Sequence, residues 1–155
     1  VKGESMTPNF EDGELILTEK VSYRFSAPKR GDVIVFKAPG PIKLDYIKRI
    51  IGLPGEHLVI NDGSIYINEK RLSESYETQV TQSEVNIVVG ENQYFVLGDN
   101  RSASSDSRIF GPIDKSTIEG RAWVVYWPII KYAKYGGPRD ISRVEYSVSD
   151  SLNNN

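Results

Sequence analysis

The amino-acid sequence predicts an all-β protein whose antiparallel sheets are joined by loops and a few short helical turns. Two observations point to this class. Short runs rich in β-branched and aromatic residues recur along the 155 residues, and turn signals of Gly, Pro, Asn or Asp separate them. No long stretch repeats its apolar residues at the spacing of a helix. An antiparallel sheet or barrel domain therefore fits the pattern best.

Eight runs have the composition of strands. In chain order they span residues 15–19, 32–37, 46–53, 57–60, 64–67, 85–89, 93–97 and 120–127. The fourth and fifth form the clearest hairpin, because they flank the turn sequence Asn61-Asp62-Gly63. Residues 98–111 are predicted to form a polar loop, and residues 115–119 a single helical turn.

The chain is long enough for one domain with a hydrophobic core of its own. We assign residues 1–135 to that domain, with 73–84 as a short exposed excursion because this stretch is polar. Residues 136–155 are predicted to be a partly disordered C-terminal tail, since Gly, Ser and Asn are frequent there. Because the first residue is Val1 rather than Met, we expect a processed or truncated form whose anchor lies upstream.

The composition argues against several classes of function. The formal net charge is −2, whereas a nucleic-acid-binding surface usually carries a basic excess. The chain has no cysteine and one histidine, which excludes disulfides and thiolate metal sites and argues against a zinc site. No run approaches the ~18 apolar residues of a membrane span. We therefore expect no nucleic-acid partner, no metal and no other cofactor.

Ser5 and Lys48 are the candidate reactive residues. Ser5 stands in a turn-like stretch, and by itself a serine near a proline is an ordinary turn. Lys48 shares a predicted strand face with Tyr46, and Phe36 of the preceding strand could cover that face. Burial there would lower the pKa of the lysine from its usual value of about 10.4 and make it a base. Alternatively, Lys48 is a surface cation without a reactive role.

The loop at residues 98–108 carries an unusual density of matched polar groups. It holds two arginines, two aspartates, an asparagine and four serines in eleven residues. Asp106 and Arg108 can pair with each other or with Arg49, and such pairs would order the loop. Ser104 could donate a hydrogen bond to a neutral amine. A hydrophilic turn without a function is the alternative.

Four motifs stand in order along the chain. They are Ser5-Met6-x-Pro8; Tyr46-Ile47-Lys48-Arg49 with Gly52-Leu53-Pro54-Gly55-Glu56; Gly98-Asp99-Asn100-Arg101 with Ser104, Asp106, Ser107 and Arg108; and Gly120-x-Ala122 followed by Trp127-Pro128. Together they resemble the bacterial type I signal peptidases, the membrane-anchored serine proteases that remove signal peptides. The resemblance extends from about Gly3 to Pro128.

This resemblance implies a compact signal-peptidase-type catalytic fold with a Ser/Lys dyad. Ser5 matches the nucleophile and Lys48 the general base. Ser104 matches the residue that hydrogen-bonds the lysine amine. Gly3 stands where some members carry a serine hydroxyl that is a second oxyanion donor, so the identity of that donor is open here.

The resemblance also implies supporting residues and a substrate class. Asp106 and Arg108 match a structural salt-bridged pair, expected together with Arg49. The implied substrates are preproteins with small residues at the first and third positions before the cut, of the Ala-x-Ala type. Shallow apolar pockets would exclude larger side chains. Seven residues are candidates to line these pockets, although each also fits an ordinary core position: Val1, Met6, Ile16, Val35, Phe36, Tyr46 and Ile47.

The implied partners are signal-peptide-bearing preproteins and a membrane surface. The catalytic domain is then expected on the extracytoplasmic side of a cell membrane or thylakoid. A group of aromatic residues has two interpretations, strand packing or a belt that faces the membrane. It comprises Trp123, Tyr126, Trp127, Tyr132 and Tyr135.

Two other classes of function remain open at the level of the sequence. One is a self-cleaving repressor-type Ser/Lys protease, which would need a DNA-binding domain and a cleavage site upstream of the serine. Only four residues precede Ser5. The other is a non-catalytic β-rich peptide-binding module, which predicts no coupling between Ser5 and Lys48.

Overall fold

A computed structural model describes residues 1–74, 80–127, 139–140 and 146–148 of the chain. These residues form twelve strands with short helical turns between them. The strands are Leu15–Glu19 (β1), Val33–Lys37 (β2), Asp45–Gly52 (β3), His57–Asn61 (β4), Ser64–Ile67 (β5), Lys70–Glu74 (β6), Val85–Val88 (β7), Gln93–Leu97 (β8), Ile113–Asp114 (β9), Ile118–Trp127 (β10), Arg139–Asp140 (β11) and Tyr146–Val148 (β12).

The described strands form two sheets, and each pair of neighbouring strands is antiparallel. One sheet has the order β1-β10-β2-β3-β8-β9, and β11 also pairs with β10. The other has the order β12-β6-β5-β4-β7. The predicted all-β antiparallel class is therefore confirmed, and the predicted hairpin at Asn61-Asp62-Gly63 forms between β4 and β5.

The register of β2 against β3 determines which residues surround Lys48. Ile34 lies opposite Lys48, and Phe36 lies opposite Tyr46. Residues that face each other across an antiparallel pair share one side of the sheet. Phe36 thus lies on the same face as Lys48, as the strand alternation predicts.

Three apolar clusters form the described core, and one of them anchors the N-terminal turn. Met6 and Phe10 are 1% and 0% exposed and pack with Val33, Ala122 and Val125. Fully burying a large apolar side chain stabilises a fold by roughly 1.5–3 kcal/mol. Met6 therefore fixes the turn that contains its neighbour Ser5 against the sheet.

Several short elements differ from the sequence prediction. The predicted polar loop contains a 3-10 helix, Arg101–Ala103, and a one-turn α-helix, Ser107–Phe110 (α1). Asp106 caps α1, because its side chain accepts a hydrogen bond from Arg108 N. The predicted helical turn at 115–119 is a 3-10 helix at Lys115–Thr117, and β10 begins directly after it.

The C-terminal predictions fall mostly outside the described residues. Within the predicted tail, β11 pairs with β10, and β12 pairs with β6. The rest of 136–155, residues 75–79 of the predicted excursion, and Tyr132 and Tyr135 of the aromatic group lie outside the described part, as do the side chains of Tyr126 and Trp127. No helix in the described residues is both long and apolar enough to cross a membrane.

Candidate active site

Ser5 and Lys48 meet although 43 residues separate them in sequence. Lys48 Nζ donates a hydrogen bond to Ser5 Oγ at 2.8 Å and a second to Ile47 O at 2.9 Å. Ser5 belongs to the N-terminal turn, whereas Lys48 projects from the middle of β3. The fold therefore places an amine where, once neutral, it can accept the proton of the serine hydroxyl.

Burial lowers the pKa of Lys48. The residue is 4% exposed, and desolvation lowers the pKa of its amine to about 8, although the charges of Asp106 and Asp99 act in the opposite direction. With this pKa, roughly a tenth of the amine is neutral at pH 7, compared with well under a thousandth for an ordinary lysine. Lys48 can thus act as a base near neutral pH.

Aromatic rings extend the apolar surface beside the amine. Lys48 Nζ lies 5.3 Å from the ring centroid of Tyr46. Tyr46 packs against Phe36 and Phe110 with ring centroids 6.2 and 6.4 Å away. Phe110 was not predicted from the sequence, because it ends a four-residue helix within a mostly polar loop.

The turn that carries Ser5 is held by the loop after β8. Asn100 N donates to Ser5 O at 3.0 Å. A Cβ atom added at Gly98 would lie 2.5 Å from Ser5 O and 2.2 Å from Ser104 Oγ. Only glycine therefore allows the loop to approach Ser5 this closely.

The predicted hydrogen bond between Ser104 and the Lys48 amine does not form. Ser104 Oγ is buried and has no partner in the described residues, and the amine bonds instead to Ser5 and Ile47. Ser104 instead packs closely against Gly98, with Oγ 2.2 Å from the position that a Cβ atom on Gly98 would take.

The two arginines of the predicted network have different partners. Asp106 and Arg108 pair as predicted, with Arg108 Nε 2.8 Å from Asp106 Oδ1. Arg49, expected to join this pair, makes a two-pronged contact with Asp99, from Nε at 2.8 Å and from Nη2 at 2.6 Å. The correction follows from the fold: Arg49 pairs with Leu97 across β3 and β8, and Asp99 comes two residues later.

Asp99 is thus a site residue that the analysis of the motifs did not single out. It also accepts a hydrogen bond from Asn9 Nδ2 at 2.9 Å. Asp99 and Arg49 are 3% and 1% exposed. This buried pair ties β3, the loop after β8 and the N-terminal segment together around Ser5 and Lys48. The position of Asp99 inside the Gly-Asp-Asn-Arg motif is the feature of the sequence that could have identified it.

A cavity of about 570 Å³ opens beside Ser5 and Lys48. Five predicted pocket residues line it: Val1, Ile16, Val35, Tyr46 and Ile47. Met6 and Phe36, also predicted, do not line it, since both are buried in the core at 1% and 0% exposure. Strand alternation cannot tell a core position from a pocket wall, because both are apolar. Residues not predicted also line the cavity: Lys2, Thr18, Leu44, Asp45 and Ser105.

The predicted residue Gly3 is not among the residues that line the cavity. Its φ angle is +81°, in the left-handed region that favours glycine, and its N donates to Asp12 Oδ1 at 2.7 Å. No cluster of His, Cys, Asp and Glu among the described residues could hold a metal ion. The arrangement suits acyl transfer, with a hydroxyl nucleophile, an amine base and an apolar cleft.

The fold and the comparisons define a peptidase. A family model described as "Signal peptidase, peptidase S26" matches residues 1–127. The chain therefore belongs to the signal peptidase family, peptidase S26.

Curated relatives from several organisms share this assignment. The chain is 38% identical to the "Probable signal peptidase I-2" of Synechocystis sp., over 83% of this chain and 62% of that protein. It is 37% identical to "Signal peptidase I" of Leptolyngbya laminosa, over 89% of this chain and 72% of that protein. It is 36% identical to "Signal peptidase I" of Bacillus caldolyticus, over 86% of this chain and 80% of that protein. The chain thus spans less than two thirds of the Synechocystis relative.

A solved structure agrees with the family. The crystal structure of a signal peptidase I from Enterococcus faecalis V583 superposes with a TM-score of 0.56 at 35% sequence identity. The match covers 62% of this chain and 97% of that chain. The two chains therefore share a fold over nearly the whole of that structure.

Proposed function

We propose that this protein is a signal peptidase I that removes signal peptides from exported preproteins, with Ser5 as nucleophile and Lys48 as general base. The observation that carries the proposal is the 2.8 Å hydrogen bond between Lys48 Nζ and Ser5 Oγ at the wall of an apolar cleft. Family membership supports the substrate class, and the lowered pKa of Lys48, about 8, supports the role of the base.

In the first half of the reaction, neutral Lys48 removes the proton of the Ser5 hydroxyl while Oγ attacks the scissile carbonyl carbon. A tetrahedral intermediate forms, and its negative charge lies on the former carbonyl oxygen. The Lys48 ammonium then gives its proton to the leaving amine as the C–N bond breaks. The signal peptide is left as an ester of Ser5.

In the second half, neutral Lys48 takes a proton from water while the water oxygen attacks the ester. The second tetrahedral intermediate collapses, and Ser5 Oγ leaves with the proton that Lys48 returns. Each intermediate needs donors directed at its oxyanion. Ser5 N–H is the first candidate, since Gly3 has no side chain to supply a hydroxyl.

The cleft supports a preference for small residues before the cut. Val1, Ile16, Val35 and Ile47 narrow it with apolar side chains, so small residues at the first and third positions would fit where larger ones clash. β8 pairs with β3 only from Arg49 onward, which leaves the edge of β3 before Arg49 without a β8 partner. An extended substrate can add to such an edge.

Membrane localisation is part of the same proposal. The resemblance to membrane-anchored enzymes supports a site of action on the extracytoplasmic side of a cell membrane or thylakoid. Preproteins with a membrane-bound signal peptide would be the partners. Trp123 of the aromatic group is 46% exposed, so its ring is accessible to a membrane surface.

A cleavage assay tests the proposal. A detergent-solubilised preprotein with an Ala-x-Ala site is incubated with wild type, Ser5→Ala and Lys48→Ala, and the mature protein is identified by mass. We expect cleavage after the second Ala by wild type and none above background by either variant. Matched controls are Ser26→Ala and Lys20→Ala, which remove an exposed serine and lysine away from the cleft. Cleavage by either dyad variant at the wild-type rate would refute the assignment.

A further inference from the structure

Thr7 fixes the peptide group that precedes the proposed nucleophile. Thr7 Oγ1 donates a hydrogen bond to Glu4 O at 2.9 Å, and Thr7 N donates to the same oxygen at 3.2 Å. Two donors from one residue therefore hold the direction of the Glu4 carbonyl.

The direction of this carbonyl also sets the direction of Ser5 N–H. The Glu4–Ser5 peptide bond is trans, so its C=O and N–H groups point to opposite sides. Within residues 1–74 and 80–127, no acceptor bonds to Ser5 N–H. The N–H thus remains available on the residue that carries the attacking Oγ, which is where a donor to an oxyanion is needed.

The Thr7 hydroxyl is itself held in place. Asn100 Nδ2 donates to Thr7 Oγ1 at 3.0 Å, while Ser102 Oγ donates to Asn100 Oδ1 at 2.9 Å. A hydroxyl that accepts one hydrogen bond and donates another has a fixed orientation. Since Asn100 N also donates to Ser5 O, Asn100 holds the carbonyl after the nucleophile directly and the carbonyl before it through Thr7.

We propose that Thr7 is a positioning residue, whose hydroxyl directs Ser5 N–H toward the oxyanion of the tetrahedral intermediates. This inference rests on the proposed function, in which Ser5 attacks a peptide carbonyl. The direction of Ser5 N–H matters more in this protein because Gly3 supplies no hydroxyl as a second oxyanion donor. Thr7 is not among the residues that line the cleft, and the Lys48 amine bonds to Ser5 and Ile47, so Thr7 acts only through the Glu4–Ser5 peptide group.

The test is the steady-state cleavage of an Ala-x-Ala preprotein by Thr7→Val, which removes the hydroxyl and keeps the shape. Loss of a whole oxyanion donor typically costs about 10²–10³ in rate, so we expect misdirection of one to lower kcat roughly tenfold or more. KM is expected to stay within a factor of two, because the oxyanion exists only after substrate has bound. Thr7→Ser keeps the hydroxyl and is expected to retain most of the wild-type kcat.

Thr117 provides a matched control outside the site. Thr117 Oγ1 donates to Asp114 O at 2.7 Å, which is the same contact to a carbonyl three residues earlier. Thr117→Val is expected to leave kcat unchanged. If Thr7→Val does not fold, as judged by its thermal midpoint, Thr7→Ala takes its place under the same criteria.

A pH profile separates positioning from general disruption of the site. If Thr7→Val misdirects only the N–H, the plateau of kcat/KM falls while its midpoint stays at the wild-type pH, because Lys48 is unchanged. A wild-type kcat, an equal loss in Thr7→Ser, or a shifted midpoint would each overturn the inference. Failure of the proposed function is a different result, in which wild type itself does not cut or Ser5→Ala cuts equally well.

Discussion

Arg49 and Asp99 form a buried ion pair directly beside the candidate dyad, with Arg49 Nη2 2.6 Å from Asp99 Oδ2 and both side chains at most 1% exposed. A second contact, from Arg49 Nε to Asp99 Oδ1 at 2.8 Å, makes the pair two-pronged. Removing one partner of such a pair leaves the other as an uncompensated buried charge, which is costly. The pair therefore makes the geometry around Lys48 depend on the loop after β8.

The first prediction concerns the stability that this pair controls. Asp99→Ala is expected to lower the free energy of unfolding by about 3–5 kcal/mol, because the buried Arg49 guanidinium loses the carboxylate that it contacts through Nε and Nη2. Urea denaturation at pH 7 measures the change. The control is Glu119→Ala, whose partner Lys20 is 65% exposed and whose loss is expected to cost less than about 1 kcal/mol. Equal costs for the two variants would contradict the prediction.

The second prediction concerns the close approach at Gly98. A Cβ there would lie 2.2 Å from Ser104 Oγ and 2.5 Å from Ser5 O, so Gly98→Ala must displace both. We expect a destabilisation of about 1–3 kcal/mol together with a severe loss of cleavage. Adding Ser104→Gly is expected to restore part of the stability but not the rate, because the contact with the Ser5 backbone remains.

Gly90→Ala is the control for this substitution. A Cβ at Gly90 meets the end of the Gln93 side chain, which can move away. Its thermal midpoint and cleavage rate are expected to stay near those of wild type. If Gly98→Ala behaved in the same way as Gly90→Ala, the close approach would not be needed for the site.

The third prediction concerns the pH dependence of the reaction. Only neutral Lys48 can take the Ser5 proton, and burial lowers the pKa of its amine to about 8. The value of kcat/KM is therefore expected to rise tenfold per pH unit below this pKa and to level off above it. Initial rates between pH 6 and pH 10 on a non-ionising peptide substrate measure the profile. A rate that keeps rising to pH 10 would show an unperturbed lysine.

The fourth prediction concerns how far the burial of a charged Lys48 lowers the free energy of unfolding. Because the folded-state pKa, about 8, lies below the ordinary lysine value, the native state resists protonation. Lys48 therefore makes its full contribution to the free energy of unfolding above the unfolded pKa of about 10.4. This contribution is lost as the pH drops from there to about 8. Lys48→Met is expected to raise the free energy of unfolding at pH 7 by up to about 3 kcal/mol.

Urea denaturation of Lys48→Met and wild type at pH 7 and pH 10.5 checks this sign. The advantage of the variant is expected to shrink at the higher pH, where the lysine is neutral in the folded state and about half neutral in the unfolded state. A variant that is less stable than wild type at pH 7 would contradict the argument from burial. Lys20→Met, which removes an exposed lysine, serves as the control at both pH values.

Much of the fold could be predicted because its strands and the turns that separate them depend on local sequence. The turn at Asn61-Asp62-Gly63 and the β-branched runs on either side depend on neighbouring residues alone. The shared face of Phe36, Tyr46 and Lys48 follows from the two-residue period of strands. The helix α1 was missed because its four residues depend on the cap from Asp106, and a single carboxylate in a polar loop has many possible partners.

The site was harder to predict, because its contacts join distant segments. The loop after β8 offers two aspartates to Arg49, and spacing in the sequence cannot choose between Asp99 and Asp106. Ser104 packs against Gly98 rather than bonding to the Lys48 amine, and no local pattern encodes this contact. Met6 and Phe36 were assigned to the pocket, yet both lie in the core, since apolar residues fill both places.

A double-mutant cycle on the cleavage rate decides whether Ser5 and Lys48 act as one unit. The value of kcat/KM for an Ala-x-Ala preprotein is measured for wild type, Ser5→Ala, Lys48→Ala and the double variant. Groups that act together in one proton transfer are strongly non-additive. We predict that each single variant loses as much activity as the double variant. Losses that multiply in the double variant, or a single variant that retains the wild-type rate, would contradict a Ser5/Lys48 dyad.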